Sequence, residues 1–137
     1  MWWTYALLSA VFAALTAVLA KVGIKGVNSD LATAIRTVVI LLVAWGIVWA
    51  RGSAADLHSL TPRNWLFLIL SGGATGLSWI FYFKALQLGK VSQVAPVDKL
   101  SVAIAIVLSV LFLGEVLTLK AALGALLIIG GTLVLIL

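Results

Sequence analysis

VSQVAPVDKLSVAIAIVLSVLFL, running from Val91 to Leu113, is apolar except for Asp98, Lys99 and a few small polar residues. Twenty-three residues of this composition are long enough to cross a bilayer, whose hydrocarbon core of ~30 Å needs ~20 helical residues. A charge at membrane depth is expensive, ~2.5–3.5 kcal/mol even on insertion scales. A span that keeps two of them is expected to face protein or a water-filled cavity rather than lipid. The competing reading has both charges snorkelling from the first two turns to the interface. Lys99, about nine residues into the run, can do so only in part.

Four more apolar runs flank this one: Met1–Ala20, Leu31–Ala50, Asn64–Phe83 and Ala121–Leu137. None alternates as a barrel strand must. Lipid cannot satisfy exposed backbone, so helices are the expected form, and the fold class is all-α with five transmembrane helices. The composition agrees. The 137 residues are 64% hydrophobic and only 9% charged, where a soluble domain carries about a quarter charged residues. Helix-start signals sit where the runs begin: Asn28, Ser29 and Asp30 before the second, Thr61-Pro62 before the third, and Thr118 before the fifth. Met1-Trp2-Trp3 lacks the charged start of a secretory signal and reads as the interfacial end of a retained helix. The connections are short. Arg51–Arg63 has no room for a soluble domain, and Ala54–Leu60 within it has room for one interfacial turn. One domain over residues 1–137 is expected.

The net charge of +5 does not indicate a nucleic-acid partner. Its carriers, Lys21, Lys25, Arg36, Arg51, Arg63, Lys84, Lys90, Lys99 and Lys120, form no stripe or run, and most lie at the ends of apolar segments. One membrane face receives Arg51, Arg63 and Lys120; the other receives Lys21, Lys25 and Lys90, with Lys84 at the border. Three against three or four leaves the positive-inside rule little to act on. Dual topology, with copies inserted both ways, is one expectation; a slight preference for one face is the other. Cysteine is absent, so disulfides and thiolate chemistry are excluded. His58 stands alone in a polar loop, and no triad, phosphate loop, dinucleotide fingerprint or metal cluster is present. Neither an enzyme, a cofactor nor a metal is expected.

Three constellations remain. Ser71, Thr75, Ser78 and Tyr82 recur at spacings of four, three and four, with Gly72, Gly76, Trp79 and Phe83 beside them. A hydroxyl stripe next to aromatics suits a cavity wall for amphiphilic organic solutes, and Ser78, Trp79 and Tyr82 are its candidate binding residues. Interhelical hydrogen bonding is the alternative. Around Lys99, neighbouring positions diverge by about 100° on a helix, so Asp98 and Lys99 are not expected to pair well with each other. Pro96 is expected to kink or open the start of this helix. Arg36, about two turns into the second run, either anchors to headgroups or points inward to an anionic partner. Glu115, after Gly114, reads as a loop or cap contact. Gly124 and Gly131, one heptad apart, offer a smooth groove to a neighbouring helix, in a second copy or in the same chain.

Ala85-Leu86 through Gly89, the run Val91-Ser92-Gln93-Val94-Ala95-Pro96, Leu113-Gly114-Glu115 with Leu117-Thr118, and Gly124 with Gly130-Gly131 together resemble a single EamA-type domain of the drug/metabolite transporter superfamily. Arg36 fits a basic position in that family's second helix. The resemblance implies a five-helix unit that is the unfused half of larger two-half members and completes its pathway by antiparallel homodimerisation. Gly124 and Gly131 are similar to the dimer-forming glycines of the small multidrug resistance relatives. Those relatives carry a membrane-embedded glutamate in the first helix, whereas Met1–Ala20 contains no acid. A cationic drug coupled to protons at that position is therefore not expected. The expected function is passage of a small organic metabolite by alternating access in a multi-pass inner- or plasma-membrane protein. Arg36 and Lys99 favour an anionic or zwitterionic solute, and Asp98 is the candidate coupling residue. A non-transporting subunit that needs a different EamA-type partner, or a flippase for a lipid-linked sugar, are the alternatives.

Overall fold

The computed structural model describes residues 1–137 and is helical almost throughout. Helix α1 spans Trp2–Gly23 and α2 Ser29–Ala50. A 3-10 helix, Ser53–Ser59, fills the turn anticipated in the longest loop, and α3 follows over Pro62–Leu88. Val91–Leu113 is divided into α4, Val91–Asp98, and α5, Leu100–Leu113; α6 spans Leu119–Ile136. Counting α4 and α5 as one interrupted span, five segments are long and apolar enough to cross a membrane. The protein is thus a multi-pass, all-α membrane protein with no strand.

The starts of these helices follow from local chemistry. The Asn28 side-chain oxygen accepts from the Asp30 and Leu31 amides at 2.8 and 3.2 Å, satisfying two of the donors that a helix start leaves open. Thr61 does the same for the Asn64 amide at 3.2 Å, with Pro62 at the first helical position, where its missing N–H is no loss. Thr118 caps α6 through the Ala121 amide at 3.1 Å. Gly114 ends α5 at φ +69°, a left-handed turn that glycine enters without a Cβ clash. The Glu115 backbone amide then donates to the Ser109 carbonyl. Helix α3 runs five residues beyond the apolar stretch that announced it, because Lys84 to Leu88 still pair their backbones as a helix.

Contacts divide the chain into two compact units, Ala20–Gln87 and Met1–Leu19 with Leu88–Leu137. In the first, Phe83 and Leu86 are fully enclosed, with Ala20, Ile24, Ala32, Ser29 and Thr33 buried as well. Thr33 and Thr37 return their hydroxyls to the Ser29 and Thr33 carbonyls, so these polar groups are satisfied within α2. In the second unit, α4 and α5 both pack on α6, where Ala103 and Thr132 are buried. Most large apolar side chains point outward, as they must where lipid is the solvent.

Candidate functional site

Within the unit Ala20–Gln87, the side chains singled out on α2 and α3 meet. Arg36 lies seven residues past the start of α2, about 10 Å along its axis. Its guanidinium carbon sits 4.3 Å from the centroid of the Phe83 ring and 5.4 Å from the Trp79 ring. Trp79 and Phe83 are four residues apart on α3 and so share one face. Tyr82 meets Phe83 edge-on, with ring centroids 5.7 Å apart at 68°. The cation lies over both rings, an arrangement that guanidinium accepts better than ammonium. Arg36 Nη1 is buried and has no hydrogen-bond partner. A donor left in that state is costly, by about 1–3 kcal/mol and more when it is charged.

Of the other α3 candidates, Ser78 is exposed, and Thr75 donates to the Ser71 carbonyl of its own helix at 2.9 Å. Gly72 and Gly76 are open: a Cβ added at either would meet nothing within 4 Å. Phe83 was visible in the sequence only as a neighbour of the hydroxyl stripe. Its four-residue spacing from Trp79 was the available signal, but nothing in one dimension shows that α2 brings an arginine to that face.

In the other unit, Lys99 is the residue at which the fourth span breaks. Its backbone turns at φ −71°, ψ −9°, and its amide donates to both the Ala95 and Pro96 carbonyls, at 3.3 and 3.1 Å. Pro96 lies inside α4, and the interruption falls three residues after it rather than at the helix start. The Pro96 carbonyl also accepts from the buried Thr132 hydroxyl of α6 at 3.2 Å. One expectation is corrected here. Asp98 and Lys99 do pair, with Lys99 Nζ 3.1 Å from Asp98 Oδ2. The 100° divergence holds for a continuous helix; at this interruption the long lysine chain folds back on its neighbour. Asp98 is half-buried and Lys99 exposed. On α6, Gly124 is half-buried and Gly131 exposed, and neither has a heavy atom of another helix within 4 Å of an added Cβ. No three His, Asp or Glu residues gather as metal ligands.

Five membrane spans, one interrupted at a charge pair and another holding an arginine against aromatic rings, define a polytopic protein with charged groups inside its spanning segments. Residues 1–137 match the EamA-like transporter family along their whole length, and the chain belongs to that family. It is also 55% identical, over 134 residues, to a Sinorhizobium protein described as an uncharacterized transporter in the cobO 3' region. The match covers 98% of this chain and 95% of the relative. No solved structure matches. Its family makes this chain a membrane transport protein, and the resemblance read from the Val91–Pro96 and Leu113–Thr118 motifs is borne out.

Proposed function

We propose that the protein carries a small organic solute with a carboxylate or comparable anionic group across the cytoplasmic membrane by alternating access. One observation carries the reading: the buried, unpartnered Nη1 of Arg36, in a guanidinium backed by Phe83 and Trp79. Apolar surroundings strengthen any charge-assisted hydrogen bond made there. An anionic ligand oxygen supplies the missing acceptor, while Trp79 and Tyr82 offer ring surface to its organic part and Ser78 a hydroxyl. Lys99, in the other unit, is the second cation assigned to the solute. Asp98, its ion-pair partner, is the acid assigned to coupling.

The working form in this reading is an antiparallel homodimer of five-span domains, each covering residues 1–137. The open groove at Gly124 and Gly131 supports it, as does the near balance of basic loop residues. The test is uptake into proteoliposomes of a panel of radiolabelled carboxylates, zwitterions and organic cations. Parent protein is expected to move anions or zwitterions, with Arg36→Ala and Lys99→Ala both impaired. Wild-type uptake of every transported solute by both variants refutes the proposal.

A further inference from the structure

The unit Ala20–Gln87 contains a second polar feature, one helical turn past Phe83 and at the opposite end of α3 from its Thr61 cap. The end of α1 and the end of α3 clasp one another there. Lys21 Nζ donates to the Leu86 carbonyl, one of the last acceptors of α3, where the helix dipole favours a cation. In return, the Gln87 side-chain amide donates to the Val27 carbonyl at 2.5 Å and to the Ile24 carbonyl at 3.4 Å. Between the clasped ends lies a cavity of about 370 Å³ lined by Lys21, Ile24, Lys25, Gly26 and Gln87. That volume falls in the ~300–1,000 Å³ range of small-ligand pockets. Gly26 turns the loop around it at φ +72°.

The chemistry of the lining is cationic. Lys21 is held in place by its carbonyl, and Lys25 is exposed with no ion pair inside the chain. The acid nearest in sequence, Asp30, sits in the first turn of α2 beyond the Asn28 cap. The Ile24, Val27 and Leu86 carbonyls accept from Gln87 and Lys21, which offsets part of the negative potential that these two helix ends present to an anion. Lys21 and Gln87 both lie in or beside the last turn of a membrane span, which puts the cavity at headgroup level. Val22, the sequence neighbour of Lys21 in the last turn of α1, is 66% exposed and is apolar surface available to an acyl chain.

We propose that this cavity is a binding site for the phosphate of an anionic phospholipid. Lys25 supplies the mobile charge, and the Lys21–Leu86 and Gln87–Val27 bonds hold the pocket open. The phosphate of a soluble ester shares this chemistry, and the apolar surface at Val22 is the reason for assigning the site to lipid.

The experiment measures thermal unfolding of the full chain in mild detergent as phosphatidylglycerol, phosphatidylcholine or glycerol 3-phosphate is added. The parent is expected to be stabilised by phosphatidylglycerol beyond phosphatidylcholine, and not by glycerol 3-phosphate. Lys25→Gln is expected to weaken the phosphatidylglycerol midpoint about fivefold, the factor set by ~1 kcal/mol for one lysine at an anionic surface. Lys120→Gln, at the start of α6, is expected to leave it unchanged. An undiminished phosphatidylglycerol effect in Lys25→Gln overturns the site. Equal stabilisation by glycerol 3-phosphate overturns the lipid assignment. Neither result depends on what Arg36 binds.

Discussion

Arg36 is where a single side chain has most to say about function. A guanidinium over Phe83 and near Trp79 still has N–H donors to offer an oxyanion, and a point-charge ammonium does not make both contacts at once as well. Arg36→Lys is therefore expected to behave almost as Arg36→Ala. Loss of one charge-assisted bond, about 1.5–3 kcal/mol, lowers the uptake rate per KM by about 10- to 150-fold, measured as initial rates in proteoliposomes. Phe83→Leu keeps an apolar group in a position only 1% exposed but removes the ring that backs the cation. It is expected to raise KM by up to about 30-fold, since a desolvated cation–π contact contributes about 2 kcal/mol, while the protein remains folded by circular dichroism. Arg36, Trp79 and Tyr82 were legible as candidates because each is the wrong kind of residue to leave in lipid. Phe83 was not, because a phenylalanine in a membrane helix needs no explanation until a cation is found against it.

At the scale of the element, the helix starts were the most readable parts of the chain. Asn28, Thr61 and Thr118 are short polar side chains placed just before apolar runs, and a cap acts over three residues, within reach of a linear reading. Thr118→Ala is expected to destabilise the protein by about 1 kcal/mol, read as a lower unfolding midpoint in detergent. The break in the fourth span was half legible. Pro96 announced a disturbance, but its position at Lys99, and the Asp98–Lys99 pair that results, depend on how the last turn of α4 tightens. The bond from the Thr132 hydroxyl of α6 to the Pro96 carbonyl is a tertiary contact spanning 36 residues and leaves no mark in the local pattern. Thr132→Val keeps the shape and removes the donor. It is expected to lower stability by about 0.6 kcal/mol, the average for such bonds within membranes, in the same unfolding assay.

For the molecule as a whole, the questions are which way it inserts and what its open grooves meet. The basic residues of the loops are nearly balanced between the faces, so C-terminal reporters are expected on both sides of the membrane. A reporter signal confined to one side would contradict dual topology. Gly124 and Gly131 are seven residues apart, about 10 Å along α6. If two copies of α6 pair antiparallel along these glycines, Gly124 of one copy lies opposite Gly131 of the other. The chain has no native cysteine, so introduced ones report without interference. Gly124→Cys and Gly131→Cys chains are expected to cross-link when mixed and not when alone; a parallel pair gives the reverse.

The amino-acid order alone determined the number of spans, their helical state, the caps that start three of them and the family, because hydrophobic length and local hydrogen bonding are properties of contiguous residues. Only the folded arrangement decided that Arg36 lies against Phe83, that Lys21 and Gln87 exchange bonds between the ends of α1 and α3, and that Lys99 turns back on Asp98. The first two of those contacts join residues 47 or more positions apart, and the third depends on a helix interruption. Lipid accepts any apolar helix face, so hydropathy cannot say which faces meet; packing and the need to satisfy buried polar groups do.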